Sequence, residues 1–275
     1  MGALIEVENL KKVYKDAIAV DGISFEIYPG EVLAFLGPNG AGKTTTVEIL
    51  LGIRKKTAGR LIYFGKEINR PRRNHLKRIG ATLQEERFLP NLTPREILHM
   101  FASLYGKGDV DEAIKTFAID EFANRRYRHL SGGQKRRLSL AVATVHDPDV
   151  VFLDEPTTGL DVQSRRSLYD YILKMRDRGK AVFLTTHYIE EAERLADRVI
   201  IIDHGHIVAH GRVDELIRQA ELPTILQING DTYEVFSERE IASIVKSYEE
   251  IRDLSLSKPT LEDVFVKLTG RRIRD

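Results

Sequence analysis

Residues 31–52 read EVLAFLGPNGAGKTTTVEILLG. An apolar run of strand length, Val32 to Leu36, leads into the glycine-rich turn Gly37-Pro38-Asn39-Gly40-Ala41-Gly42-Lys43-Thr44. A helical stretch follows through Thr45 and Val47. Strand, loop and helix in this order open an α/β fold. The turn fits G-x-x-x-x-G-K-[ST]. Its glycines let the backbone curl so that successive N–H groups aim at phosphate oxygens, and the helix N-terminus adds a favourable dipole. Lys43 is then in reach of the β- and γ-phosphates, and the Thr44 hydroxyl of a Mg²⁺ ion. Nucleotide binding is the expectation.

Further along the chain, two apolar runs without alternation, DVVFLDE (149–155) and KAVFLTTH (180–187), read as buried parallel strands. Residues 162–178 between them have helical spacing and stop at Gly179. Alternating strands and helices predict a parallel sheet covered on both faces. Upstream, residues 4–8 (LIEVE) and 23–27 (ISFEI) alternate as half-buried strands do, with a turn at Tyr28-Pro29-Gly30. Thr93-Pro94-Arg95-Glu96 reads as a capping box opening a helix to about Leu104. After Gly211 the character changes. TILQI, Asn229-Gly230 and TYEVF predict a hairpin, followed by a helix near 238–247, a strand at 251–256 and a helix from Thr260 to about Gly270. Residues 221–275 are therefore expected to form a small α+β appendage.

Composition bounds the function. With 275 residues, 42% of them hydrophobic and 30% charged, the chain suits one large domain with a small addition. Lys and Arg number 42 against 41 Asp and Glu, a net charge of +1, which argues against nucleic-acid binding driven by overall charge. The basic runs 70–78, 125–128 and 271–274 read as solvated surface or as neighbours of anionic lipid heads. There are no cysteines, so disulfides and thiolate metal sites are excluded. Acidic residues interrupt the first sixteen positions where a signal peptide would be apolar, and runs such as 199–202 (VIII) are only strand-sized. No membrane crossing is expected of the chain itself.

Five further segments follow the phosphate loop in fixed order, and with them the chain resembles the nucleotide-binding subunit of an ATP-binding cassette transporter. They are Gln84, then Leu130-Ser131-Gly132-Gly133-Gln134, Asp154-Glu155, Pro156 to Asp161, and His187. The resemblance spans roughly residues 4–215. It implies a P-loop NTPase α/β fold: a parallel-sheet core, an N-terminal antiparallel β subdomain, a helical subdomain at about 88–145, and a cassette domain over 1–220.

The resemblance also implies roles. Asp154 would hold the Mg²⁺ shell with Thr44 and Gln84, and Glu155 would polarise the attacking water. His187 would contact the γ-phosphate, and Asp161 would touch a partner cassette. Ser131, Gly132, Gly133 and Gln134 would close over ATP held by a second copy. Tyr14 lies where the family places an aromatic on adenine, although it could equally be an ordinary strand residue. Taken singly, Gln84 could be a loop residue, His187 a bystander and the acidic pair a surface turn. Their order argues otherwise.

The implied cofactors are ATP and Mg²⁺. The implied partners are a separate polytopic membrane subunit and a second cassette, an identical copy in preference to a paralogue. That places the chain in the cytoplasm, on the inner face of the membrane. The tail LSLSKPTLEDVFVKLTGR is similar to the export branch that handles drugs, antibiotics, lipids and polysaccharides. An importer ATPase, or a stand-alone ATPase of a soluble or nucleic-acid machine, is the alternative. Long heptads and zinc-binding cysteines of the DNA-repair type are missing, as is a second cassette.

Overall fold

A computed structural model describes residues 2–15, 17–84 and 87–273. The chain begins β1 (Ile5–Tyr14), β2 (Ala17–Ile27), β3 (Val32–Leu36), α1 (Lys43–Leu50), β4 (Ala58–Tyr63), β5 (Lys66–Ile68), α2 (Arg73–Leu76) and β6 (Ile79–Thr82). A helical stretch follows, with α3 (Pro94–Tyr105), α4 (Val110–Thr116) and α5 (Gly132–Thr144). The sheet resumes with β7 (Val150–Asp154), α6 (Val162–Asp177), β8 (Ala181–Thr186), α7 (Ile189–Leu195), β9 (Arg198–Asp203), β10 (His206–Gly211) and α8 (Val213–Gln219). The chain ends β11 (Thr224–Ile228), β12 (Asp231–Val235), α9 (Glu238–Lys246), β13 (Leu254–Ser257) and α10 (Leu261–Thr269).

The central sheet has the order β10-β9-β3-β8-β7-β6. β9, β3, β8, β7 and β6 run parallel and β10 closes one edge antiparallel. Alternate residues of each strand face opposite layers. Val32, Val151, Leu153, Val182 and Leu184 pack with residues of α5 and α6. Leu33, Phe35, Phe152, Phe183 and Ile200 pack against α1 and the antiparallel sheet β2-β1-β4-β5. The ring centroids of Phe35 and Phe183 lie 5.4 Å apart, and both residues are fully buried. Burial of such a side chain stabilises by about 2–3 kcal/mol. The continuous apolar runs seen in the sequence are those of strands covered twice. No helix among the described residues is long and apolar enough to cross a membrane.

The predicted caps form. The Thr93 hydroxyl accepts from Glu96 N while the Glu96 carboxylate accepts from Thr93 N, and Pro94 occupies the first helical position. The predicted hairpin pairs β11 with β12, and both Asn229 (φ 50°) and Gly230 (φ 96°) are left-handed, as a type I′ turn demands. The Asn229 amide also accepts from Arg252 N and Asp253 N, which steers the chain into β13. β13 starts at Leu254, three residues later than expected. Two strands are longer than their alternation suggested, because β1 and β2 pair through several bulges.

The last helix differs from the appendage reading. α9 covers the apolar face of the small sheet, with Ile241, Ile244 and Val245 over Leu226, Ile228 and Val235. α10 leaves that sheet and buries Leu261, Val264 and Phe265 against Leu36, Ala192, Ile201 and Leu216 of the main body. Leu261 N donates to Glu193 Oε1 at 2.8 Å, tying the start of α10 to α7. Among the basic runs, Arg78 pairs with Asp149 and Arg271 with Asp203, both at 2.6 Å; Arg274 lies outside the described residues. Phe265→Ala should lower the unfolding free energy by about 3–5 kcal/mol, read as a reduced urea midpoint. An unchanged midpoint would contradict tight docking of α10.

Candidate active site

Every segment singled out in the parallel core sits at the carboxyl ends of its strands, the edge where open α/β sheets bind ligands. The register sets the arrangement. Leu36, before the glycine loop, pairs with Thr186, before His187. Asp154 pairs with Thr185, and Thr82, shortly before Gln84, pairs with Leu153. Four loops that are far apart in sequence therefore leave the sheet side by side.

The loop after β3 is gripped from several sides. Gly37 N donates to Thr186 O at 3.2 Å and Gly205 N donates to Ala41 O at 3.1 Å. A Cβ at Gly37 would lie 2.3 Å from Ile202 O. Gly42 has φ 106°, and a Cβ there would lie 2.4 Å from Ala19 O on the β1–β2 hairpin. Only glycine tolerates both conditions. Lys43 is 4% exposed, and its ammonium donates to Gly37 O at 2.7 Å and Pro38 O at 3.1 Å. It also stands 3.5 Å from Glu155 Oε1. Burial lowers the Lys43 pKa, while the Glu155 carboxylate pulls it back up.

Glu155 is the convergence point. His187 Nδ1 lies 3.2 Å from Glu155 Oε1, off the line of a hydrogen bond. Gln84 Nε2 donates to Oε2 at 3.3 Å, and the Thr158 hydroxyl lies 3.5 Å from the same oxygen. Glu155 N donates to the Thr185 hydroxyl at 3.1 Å. Its φ is 45°, a left-handed backbone that a non-glycine residue adopts only where its surroundings enforce it. Both Glu155 and His187 are 9% exposed.

Asp154 is more deeply placed, at 1% exposure. Its Oδ1 accepts from the Thr185 hydroxyl at 2.5 Å, and its Oδ2 is buried without a partner. Burial raises the Asp154 pKa, while the hydrogen bond from Thr185, the nearby Thr44 hydroxyl and the charge of Lys43 work the other way. A carboxylate oxygen left bare beside a threonine hydroxyl suits a hard cation with oxygen ligands. The described residues contain no group of three or more His, Cys, Asp or Glu able to hold a metal alone. Any such ion would complete its shell with neutral side-chain oxygens such as those of Thr44 and Gln84, with phosphate and with water.

An open cleft of about 470 Å³ is lined by Ala19, Asn39, Gly40, Lys43, Thr44, Thr45, Gln84, Glu155, Thr158 and His187, among others. Ser131, Gly132, Gly133 and Gln134 are not in that lining. Ser131 caps α5 in a box with Gln134, its hydroxyl accepting from Gln134 N at 3.3 Å. Gly133 and Asp161 line a different cleft, of about 280 Å³, where Asp161 caps α6 by accepting from Ser164 N at 2.9 Å. Tyr14, at the end of β1, lies outside the phosphate cleft lining, with Lys12 Nζ 4.7 Å from its ring centroid.

Thr185 and Ala19 were missed in the sequence because neither carries a motif of its own; they join the site through sheet register and hairpin packing. Thr158 sits in the segment Pro156 to Asp161 but was given no role there, and it joins the site by following Glu155 in the chain. Gly42→Ala should weaken binding of a fluorescent ATP analogue by about tenfold or more, the cost of backbone strain plus a steric clash. Affinity like that of the wild type would contradict the geometry.

Comparison with known proteins gives the family. Residues 20–158 match the family model described as "ABC transporter". The chain is 38% identical, over 303 aligned positions and 99% of both chains, to Nod factor export ATP-binding protein I of Paraburkholderia xenovorans (strain LB400). A solved ATP-binding subunit of an ABC transporter superposes with a TM-score of 0.71 at 25% identity, over 78% of this chain and 92% of that one. A dimeric bacterial ABC transporter cassette gives 0.68 at 26% identity, over 76% and 98%. This chain therefore belongs to the ATP-binding cassette transporter family, as an ATPase subunit.

Proposed function

We propose that this ATPase drives export through a separate membrane-spanning subunit, by hydrolysing ATP at the site centred on Glu155. The observation that carries the reading is the convergence of Lys43, Gln84 and His187 on one buried carboxylate beside a phosphate-shaped loop. Export is supported by relatives named for it that match the chain along nearly its whole length, appendage included.

In this reading the backbone N–H groups of Gly40 to Thr45 bind the β- and γ-phosphates, and the Lys43 ammonium neutralises part of their charge. Thr44, Asp154 and Gln84 would hold Mg²⁺, which supplies further neutralisation of the phosphate oxygens. Glu155 accepts a proton from water as the water attacks the γ-phosphorus and the bond to the bridging oxygen breaks. His187, held against Glu155, orients that water and the γ-phosphate. The β1–β2 hairpin borders the cleft through Ala19, which brings Tyr14 to the side where an adenine ring could stack.

Ser131, Gly132 and Gly133 stand at an exposed helix start and outside this cleft. They meet nucleotide when a second copy presents them, and Asp161 then lies at the same boundary. A dimeric cassette among the structural neighbours supports that arrangement. ATP bound by both copies favours the closed dimer, and loss of the γ-phosphate reopens it. With the cassette held at the inner face of the membrane, the membrane-spanning subunit would take up that motion near Gln84 and α3.

Glu155→Gln should bind ATP normally, hydrolyse it about a hundredfold more slowly, and elute as a dimer in Mg-ATP. Ser131→Arg, which obstructs both boundaries when both copies carry it, should block the homodimer and the activity. Hydrolysis unaffected by Glu155→Gln would sink the catalytic assignment. A fully active, monomeric Ser131→Arg would sink the two-copy site.

A further inference from the structure

Glu191 is a third carboxylate buried near the cleft, and none of the roles above uses it. It lies on α7, four residues after His187, and is 1% exposed. The hydroxyl of Thr157, also 1% exposed, donates to Glu191 Oε1. Thr157 follows Glu155 by two residues, in the stem that leads to Asp161. Burial pushes the Glu191 carboxyl up, against the pull of Thr157, Thr186 and Arg165. A carboxylate taken out of water is costly to keep, so its place in this chain calls for a reason.

The contacts on either side of this bond supply one. On the far side of the stem, Arg136 Nε donates to Pro156 O at 2.7 Å, and Arg136 belongs to α5, the helix begun by Ser131 and Gly132. On the α7 side, the Thr186 hydroxyl accepts from Tyr188 N at 2.9 Å, fixing the exit from β8. The guanidinium of Arg165, on α6 just beyond Asp161, lies 5.4 Å from the Tyr188 ring centroid. Within the sheet, the spacing of β7 and β8 is set by the ladder that pairs Asp154 with Thr185. The last pair of that ladder is Asp154 with Thr185; Glu155 N still donates to Thr185 O at 3.1 Å, and His187 lies beyond it.

We infer that the Thr157–Glu191 hydrogen bond is a positioning clamp that holds the His187 segment in register with the Glu155 turn, and links both to the helix carrying Ser131. Thr157 and Glu191 are positioning residues that act through His187. The inference rests on the catalytic reading of Glu155 and His187 above. The clamp sets where the imidazole stands relative to the carboxylate, and leaves the phosphate loop as it is. Its loss therefore slows turnover without weakening ATP binding. A displacement of about one ångström at a reacting group is enough for a ten- to hundredfold effect.

The test is steady-state ATP hydrolysis by the purified full chain. Thr157→Val, which keeps the shape and removes the hydroxyl, should lower kcat about tenfold and leave KM for ATP within about twofold. Thr157→Ser should restore kcat, which a purely steric role would not predict. In a His187→Ala background, Thr157→Val should cost nothing further. Should Thr157→Val fold poorly by thermal melt, Thr157→Ala is read the same way. Wild-type kcat in a folded Thr157→Val, a serine variant as slow as the valine, or additive losses with His187→Ala would each overturn the clamp alone. Full activity in His187→Ala by itself would overturn the catalytic reading, and the clamp with it.

Discussion

The carboxylate of Glu155 is where the chain's separate parts are made to agree. It is nearly buried, its backbone is held left-handed, and Lys43, Gln84, Thr158 and His187 reach it from segments as far apart as positions 43 and 187. Such a point can exist only if the strands beneath keep their register, since a slip of one residue would turn every side chain to the opposite face. The phenylalanines of β3, β7 and β8 interlock under the site and oppose that slip. Packing in the sheet and chemistry at its edge are one constraint seen at two depths.

In the proposed reading one chain holds half of a site. The phosphate loop, Glu155 and His187 share a cleft, while Gly133 and Asp161 share another. Gly133 is tight against Ser164, where a Cβ would come within 2.5 Å of the hydroxyl, whereas Gly132 faces open space. An open glycine beside a capped helix start is a surface that a phosphate on another molecule can approach closely. Between the two clefts run the stem at Pro156-Thr157 and its bonds to Arg136 and Glu191. Events at a dimer boundary and events at Glu155 thus share a short covalent and hydrogen-bonded path. The C-terminal helix touches the same machinery from behind, through Glu193 of α7.

Much of this was legible in the residues. Phosphate binding demands glycines at fixed spacing, so Gly37 to Thr44 announced itself, and twice-covered strands show as unbroken apolar runs at 149–155 and 180–187. The hairpin at Asn229-Gly230 was readable because few other residues accept two successive left-handed positions. What the residues hid was long-range pairing. β6 is four residues long and gains its identity only beside β7, β4 only beside β1, and β5 only beside β4. Thr185 looks like any strand threonine until register puts it under Asp154 and Glu155. α10 read as part of the appendage because sequence proximity says nothing about which apolar surface is still uncovered; α9 had taken the nearer one.

The central claim is that each ATP is held by Lys43 of one copy and Ser131 of the other. Mixing two inactive variants tests it most directly: Lys43→Ala in one subunit and Ser131→Arg in its partner, with ATP hydrolysis as the readout. The mixed dimer contains one boundary with both residues intact, so the account predicts that mixing restores hydrolysis absent from either variant alone. A mixture that stays as inactive as its components would place Lys43 and Ser131 in service of the same copy and contradict the shared site.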